Sequence, residues 1–164
     1  MNGKGSAYVG LVVVALTGYF VYQTWFNPSR AVKRRLGEIA AALSVPAGEG
    51  DIDRVARLAR LQGYLANDVK LLVGGVSLDS SGTIVGALAG VRPPSGGIDV
   101  QFVDVEIAVD SSDAAHAGLM LELNTKDPVT GEWRAEQHET IGYLDKRAGQ
   151  WIVVRADIRN PQQK

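Results

Sequence analysis

The sequence predicts an α+β domain, with about three helices packed on one face of a curved antiparallel sheet, behind a single N-terminal transmembrane helix. Three observations lead to this prediction. A long apolar run opens the chain, two stretches of helical apolar spacing follow it, and the second half contains runs in which apolar and polar residues alternate. Such alternation is typical of antiparallel strands with one buried face, and helices that precede strands are typical of an α+β domain.

The apolar run covers residues 7–26 and contains no charged residue. About 20 helical residues span about 30 Å, which is the thickness of the hydrocarbon core of a bilayer. Tyr8 lies near one end, and Trp25 and Phe26 lie at the other, as aromatic residues do at membrane interfaces. The run ends in bulky residues where a cleaved signal peptide has small ones, which argues against cleavage. Its length argues against a buried core helix. We therefore expect a membrane anchor, with those two alternatives open.

A basic cluster follows this run and consists of Arg30, Lys33, Arg34 and Arg35. Only Lys4 and the terminal amine are positive before the run, so a literal charge count favours a cytoplasmic domain. That rule is weak for a long domain behind one helix, and basic residues are also attracted to anionic headgroups. We expect headgroup contact by this cluster, while the residues alone leave the side of the membrane open.

The remainder of the chain has the composition of one globular domain. Across the whole chain, 46% of residues are hydrophobic and 21% are charged, which fits a packed core. Residues 28–164 hold all 18 acidic and 16 of the 17 basic residues, so this part lacks the basic surplus of a nucleic-acid binder. The chain has no cysteine, which excludes disulfides, thiolate metal sites and a cysteine nucleophile. We expect neither a cofactor nor a metal.

The first helix of the domain is predicted to begin with Asn27 as its cap and Pro28 in its first turn. Its apolar face is opposite the basic cluster and comprises Val32, Leu36, Ile39, Ala40 and Leu43. Residues 44–50 break this helix.

Asp51 is the predicted cap of a second helix. The apolar positions of this helix are Ile52, Val55, Ala56, Ala59 and Leu61. Three arginines lie along the helix as an anion-binding stripe or, as is usual for charge runs, a solvated face: Arg54, Arg57 and Arg60.

Strands dominate the rest of the prediction. A first strand covers residues 69–73, and a polar loop at 77–82 leads into a short third helix at 83–91. Longer strands follow at 98–109, 115–125, 132–146 and 151–158. The segments 127–131 and 146–150 are predicted to be hairpin loops, because they contain turn residues between alternating runs.

Two local motifs stand out within this order of elements. Residues 64–69 read Tyr-Leu-Ala-Asn-Asp-Val, and the last hairpin, 144–153, contains a basic–Gly–x–Trp–aliphatic sequence. Together they resemble the nuclear transport factor 2-like superfamily over roughly residues 29–159. The resemblance implies a cone-shaped fold, a bent sheet around helices with a cavity at the open end. The superfamily includes ketosteroid isomerase, SnoaL-like polyketide cyclases and membrane-anchored bacterial members, so the fold does not by itself imply a function.

This resemblance also suggests how the chain is divided. We expect a tail at 1–6, the anchor at 7–26, the nuclear transport factor 2-like domain at 27–160 and a second tail at 161–164. By similarity to anchored bacterial members, the protein is expected in the inner membrane as a single-pass protein with an extracytoplasmic domain, against the literal charge count.

Candidate catalytic residues are few. His138-Glu139 begins like a zinc-protease helix motif, but the second histidine is missing and the stretch alternates like a strand. His138 and Glu122 form a candidate acid–base pair, for which an ordinary polar cross-strand pairing is the plainer interpretation. The resemblance implies a pocket position for Tyr64 and Asp68, although Tyr64 also fits a core position at a helix end.

The function expected from these features is a non-catalytic interaction or scaffold module held at the membrane. Its expected partners are the lipid bilayer and other proteins, including further copies of the chain that bind through the open sheet face. The alternative is a protein that binds a small hydrophobic ligand, or a SnoaL-like cyclase or isomerase that uses the cavity of the cone.

Overall fold

The structure is a computed structural model and describes residues 12–15, 27–127 and 129–159. Residues 12–15 are helical and exposed. The rest of the expected anchor, including Tyr8, Trp25 and Phe26, lies outside the described residues, as do both expected tails. In the part of the chain that is described, no helix has the length and apolar character needed to cross a membrane.

The described domain contains three helices and six strands in an order that confirms the α+β prediction. In chain order they are α1 (Pro28–Leu43), α2 (Asp51–Tyr64), β1 (Leu65–Val73), β2 (Val76–Asp79), α3 (Ser81–Gly90), β3 (Ile98–Val109), β4 (Ala114–Lys126), β5 (Trp133–Arg147) and β6 (Gln150–Arg159).

The six strands form one curved sheet in the order β2-β1-β6-β5-β4-β3. Neighbouring strands are antiparallel except β1 and β6, which pair in parallel. The sheet is therefore mixed, and the predicted antiparallel pairing is wrong only for β1 and β6. Most of the domain lies between β1 and β6 along the chain, so this long connection permits a parallel pair that hairpins do not.

Helix α1 begins as predicted. The Asn27 side chain accepts a hydrogen bond from the Ser29 backbone N–H at 3.0 Å, and Pro28 occupies the first turn. Val32, Leu36 and Ile39 are buried against the sheet, which confirms the predicted apolar face.

Helix α2 buries a different side from the one that the sequence predicts. Its cap is Gly50, without a side-chain hydrogen bond, and Asp51 is the first helical residue. Ile52 is 85% exposed, whereas Arg57 and Leu61 are buried. The residues predicted to form the apolar face are thus largely solvent-exposed, and only Leu61 of that set is buried.

Two arginines account for this orientation. Buried Arg57 donates to the carboxylate of Glu49 and, at 3.0 Å, to the carbonyl of Ala42. Half-buried Arg54 donates to the carbonyls of Ala89 and Val91 at the end of α3. Because both guanidinium groups find acceptors on the inner side of the helix, that side faces the domain. Only exposed Arg60 matches the predicted solvated face.

The core lies between the helices and one face of the sheet. The sheet contributes alternate residues of β4, together with Leu144 from β5 and Trp151 and Val153 from β6. The buried residues of β4 are Ala115, Ala117, Leu119 and Leu121. This alternation places the remaining β4 side chains on the other face of the sheet.

Two connections differ from the predicted loops. Strand β2 covers Val76–Asp79 and so takes up the first half of the predicted loop 77–82. Ser80 caps α3, which begins at Ser81, two residues before its predicted start. The predicted loop 146–150 is a tighter turn, in which only Ala148 and Gly149 lie outside the strands. Both have positive φ, 49° and 78°, as a type I′ hairpin turn requires.

Candidate functional site

The structure does not bring the candidate pair His138 and Glu122 together. The register pairs His138 with Leu121 and Glu122 with Gln137, so the two side chains lie on opposite faces of the sheet. His138 is on the core side with its side chain 22% exposed, and its Nε2 lies 4.0 Å from Glu136 Oε2.

Glu122 lies on the other face in a local hydrogen-bond network. It accepts hydrogen bonds from Asn124 and Gln137, each at 3.0 Å. The Asn124 amide, followed by that of Gln137, holds the pKa of the Glu122 carboxyl below its ordinary value. A carboxylate that is stabilised in its ionised form is poorly suited to take up a proton near neutral pH.

Tyr64 and Asp68 are each engaged by a different arginine. The Arg35 guanidinium lies 4.8 Å from the centre of the Tyr64 ring, a cation–π contact. Arg147 donates to Asp68 at 3.1 Å. This hydrogen bond, with a backbone hydrogen bond, lowers the pKa of the Asp68 carboxyl. Asp68 is therefore an exposed ion-pair residue, whereas half-buried Tyr64 contacts Arg35 and also packs against the core.

A connected row of side chains crosses the open face of the sheet, defined here as the face turned away from the core. His116 Nδ1 lies 2.9 Å from Asp110 Oδ2, and the His116 and Tyr143 rings are 6.2 Å apart. The Arg155 guanidinium lies 5.6 Å from the Tyr143 ring centre. Arg155 also donates two hydrogen bonds to Asp157, at 3.0 and 2.9 Å. The strand register pairs His116 with Tyr143 and Tyr143 with Arg155, so the row runs directly across β4, β5 and β6.

The row combines exposed and buried groups. Tyr143 and Arg155 are exposed, whereas Asp157 is buried and fixes the Arg155 guanidinium from below. The hydrogen bonds that Arg155 donates to Asp157 raise the pKa of Arg155, so the guanidinium stays charged. Half-buried Met120 and Ile141 extend the same face with apolar surface. Tyrosine, methionine and arginine are the residue types enriched in protein–protein interfaces.

The four residues of the basic cluster have two different environments. Arg30, Lys33 and Arg34 are exposed on α1, and the Arg34 side chain is 80% exposed. Arg35 turns inward, with its side chain 17% exposed and its Nη1 2.8 Å from Glu38 Oε2. Three residues of the cluster therefore face solvent, whereas Arg35 is held in place by Glu38.

Sequence reasoning missed the residues of the open-face row. A regular alternation along β6 would put Arg155 and Asp157 on the same side as Trp151 and Val153, which are buried in the core. A register shift between Tyr143 and Leu144 interrupts that regularity. The pairing of Tyr143 with Arg155 depends on this shift, which has no clear signal in the sequence.

The known proteins that match this chain do so through the fold. No family model matches the sequence, and no curated protein matches it. The association domain of CaMKII from C. elegans is similar, with a TM-score of 0.67 and 12% identity over 84% of this chain and 99% of that chain. A putative scytalone dehydratase from Novosphingobium aromaticivorans has a TM-score of 0.68 and 13% identity over 87% and 97%.

A third similar structure is a nuclear transport factor 2-like protein with a cystatin-like fold from the same Novosphingobium species. Its TM-score is 0.68 at 11% identity, over 91% of this chain and 92% of that chain. Identities this low show the fold alone. The chain thus has the nuclear transport factor 2-like cone fold that the sequence resemblance implied.

Proposed function

We propose that this chain is a membrane-anchored, non-catalytic interaction module that self-associates through the open face of its sheet. The observation that carries the proposal is the row from Asp110 to Asp157, an ordered set of aromatic and charged groups on a face that the domain core does not use.

The row has the properties of an interface hot spot. Tyrosine and arginine are the residues at which truncation most often costs binding energy. The Arg155 guanidinium is fixed by two hydrogen bonds to Asp157, and Tyr143 lies between Arg155 and His116. Side chains that are already ordered lose less entropy when a partner covers them. Half-buried Met120 and Ile141 supply apolar area beside the row.

The fold neighbours support an assembly role. Two of the similar solved structures are named as an association domain and a hub homology domain of CaMKII. The membrane part of the proposal depends on the uncharged run at residues 7–26, whose length suits a bilayer. A module that is held at a membrane meets its partners in two dimensions, where weak contacts between copies are effective.

The test of self-association uses the full-length protein in mild detergent, with its mass measured by light scattering over a range of concentrations. We expect a dimer or larger assembly, and we expect Tyr143→Ala and Arg155→Ala to weaken it about tenfold or more. Ile52→Ala is the control, because Ile52 is an exposed apolar residue on α2, away from the open face of the sheet. A protein that stays monomeric at high concentration, or variants that assemble like the control, would contradict the proposal.

The anchor and its side require separate measurements. Membranes that contain the full-length protein are washed with alkaline carbonate, and the chain is expected to stay in the pellet. A phosphatase fused after Lys164 is expected to be active, which corresponds to an extracytoplasmic domain. Release by carbonate would overturn the anchor, whereas an inactive fusion would overturn only the assignment of the side.

A small-ligand protein or a cyclase or isomerase of the SnoaL-like kind is the second candidate. It is favoured by the similarity to the putative scytalone dehydratase and by His138, a half-buried imidazole on the core side of the sheet. Large core side chains occupy much of that side, including Leu119 and Leu121 beside His138. Mass spectrometry of small molecules that co-purify with the wild type but not with His138→Ala would favour this candidate.

A further inference from the structure

A groove of about 320 Å³ lies between the first half of α1 and the β5–β6 hairpin. Its lining includes Asn27, Arg34, Arg35, Glu38, Lys146 and Trp151. The volume lies at the lower end of the range for small-molecule sites. Neither the candidate catalytic residues nor the open-face row contributes to it.

The groove carries a surplus of positive charge. Three of its lining residues are cations, and only one, Glu38, is an acid. The Glu38 carboxylate is shared, because Arg35 contacts it at 2.8 Å and Arg34 at 4.0 Å. The ammonium of Lys146 has no ion pair in the described ranges. The lining therefore has a formal charge of +2, which favours an anionic ligand.

The cations are arranged as a partly ordered site. Arg35 is held by Glu38 and by the ring of Tyr64, so its guanidinium needs little ordering when a ligand binds. Arg34, on the same helix, is 80% exposed and contacts Glu38 only at 4.0 Å, so its guanidinium can turn toward a bound anion. Lys146 approaches from the hairpin on the other side of the groove. Guanidinium and ammonium groups on opposite sides suit a phosphoryl group, which accepts several charge-assisted hydrogen bonds.

The backbone N–H groups at the start of α1 contribute less to this site than the cationic side chains do. The backbone N–H of Ser29 donates to the Asn27 side chain, and that of Arg30 donates to the Asn27 carbonyl at 3.1 Å. Pro28 has no N–H. The groups that a helix start usually offers to an anion are thus already used, although the helix dipole still adds a weak positive potential there.

We propose that this groove binds the phosphoryl group of an anionic lipid headgroup. The proposal depends on the anchoring proposed above. The reason is that the groove adjoins the end of the expected anchor, which favours a lipid headgroup over free phosphate as the ligand. Asn27 lines the groove and directly follows Phe26, the last residue of the uncharged run. A helix that spans the bilayer and ends there would place the groove at the level of the headgroups.

The test measures lipid binding to the full-length protein in a neutral detergent by native mass spectrometry. The probes are dihexanoyl phosphatidylglycerol, dihexanoyl phosphatidylcholine and inorganic phosphate. Phosphatidylglycerol is expected to bind at least tenfold more tightly than phosphatidylcholine, whose choline cation is repelled by the groove. Phosphate alone is expected to bind more weakly than phosphatidylglycerol, because it lacks the glycerol and acyl contacts.

Variants locate the binding. Lys146→Gln and Arg34→Gln are exposed changes that should leave the fold intact, and each is expected to weaken phosphatidylglycerol binding about tenfold. Lys126→Gln and Arg134→Gln are the controls, because these basic residues are exposed on β4 and β5 outside the groove lining. Equal binding of the two lipids, an equal effect of the controls, or phosphate that binds as tightly as the lipid would overturn the proposal.

The dihexanoyl lipids are used below their micelle-forming concentrations, so the measurement does not require an anchored chain. If carbonate releases the protein from membranes but the groove selects phosphatidylglycerol, only the anchoring fails. If the chain is anchored but does not select phosphatidylglycerol, only the groove proposal fails.

Discussion

The Glu49 carboxylate and the Arg57 guanidinium meet inside the domain, with Nε 2.6 Å from Oε1 and Nη2 3.1 Å from Oε2. Their side chains are only 3% and 9% exposed. This pair joins the α1–α2 connection to the inner side of α2. It explains why an arginine is buried while Ile52 on the same helix faces solvent.

Removal of one member of this pair should strongly destabilise the domain. We expect Glu49→Gln or Arg57→Met to lower the free energy of unfolding by about 3–5 kcal/mol, because the other charge is left buried without its partner. Arg60→Met, an exposed change on the same helix, should have an effect within about 0.5 kcal/mol. Urea unfolding followed by circular dichroism measures all three, and equal effects of Arg57→Met and Arg60→Met would contradict the pairing.

The same pair predicts a pH dependence of stability. The hydrogen bond from Arg57 holds the pKa of the Glu49 carboxyl below its ordinary value in the folded state. The unfolded state therefore takes up the proton first, so the contribution of Glu49 is fully present above about pH 5 and is lost as the pH falls through the lowered folded pKa. Urea unfolding at a series of acidic pH values should show a shallower loss of stability for Glu49→Gln than for the wild type. Parallel curves for the two proteins would refute this assignment.

The exposed side of α2 distinguishes the observed orientation from the one predicted by helical periodicity. Ile52→Lys should change the free energy of unfolding by no more than about 0.5 kcal/mol, because Ile52 is solvent-exposed. Leu61→Ala on the buried side should cost about 2–5 kcal/mol. Thermal melts of the two variants make the comparison, and a large loss for Ile52→Lys would show that this side is covered.

Position 97 requires glycine, because its backbone has a positive φ and its neighbours leave no room for a Cβ. Its φ is +79°, and a Cβ there would lie 2.5 Å from the Val45 carbonyl oxygen. That carbonyl accepts a hydrogen bond from Ile98 N–H, which ties the α1–α2 connection to β3. We expect Gly97→Ala to cost roughly 2–4 kcal/mol from backbone strain and crowding. Gly37→Ala, in α1 with open space around it, should be neutral or slightly stabilising in the same urea experiment.

The β5–β6 turn contains a residue whose replacement should stabilise the domain. Ala148 has a φ of +49°, a left-handed conformation that costs an alanine about 1 kcal/mol and that asparagine adopts more readily. Ala148→Asn should raise the melting temperature by a few degrees, which corresponds to about 0.5–1 kcal/mol, and Ala148→Val should lower it. If the two variants shift the melting temperature in the same direction, the turn is not of this type.

Much of the fold could be predicted because its signals are local. The start of α1 depends on Asn27 and Pro28 alone, and each long strand shows its alternation within its own residues. The orientation of α2 could not be predicted in this way. Its inner side contains Arg54 and Arg57, and hydrophobic periodicity assigns arginines to solvent unless their acceptors are known.

The candidate site shows a related limit. His138 and Glu122 are on opposite faces because the register pairs each of them with a neighbour of the other, Leu121 and Gln137. A slip of one residue would put both on the same face. The alternating pattern determines the two faces of each strand separately, whereas the register between the strands depends on the connecting turn and on core packing.

The sequence by itself determined the kinds and order of the elements apart from β2, the buried face of α1, the uncharged run at 7–26 and the lack of cysteine chemistry. The tertiary structure decided the parallel pairing of β1 with β6, the burial of Arg57, the open-face row and the meeting of Arg34 and Lys146 at one groove. The physical reason is the distance along the chain. Periodicity and caps arise from neighbours a few residues apart, whereas each of these features joins residues whose proximity exists only after the sheet and helices have packed.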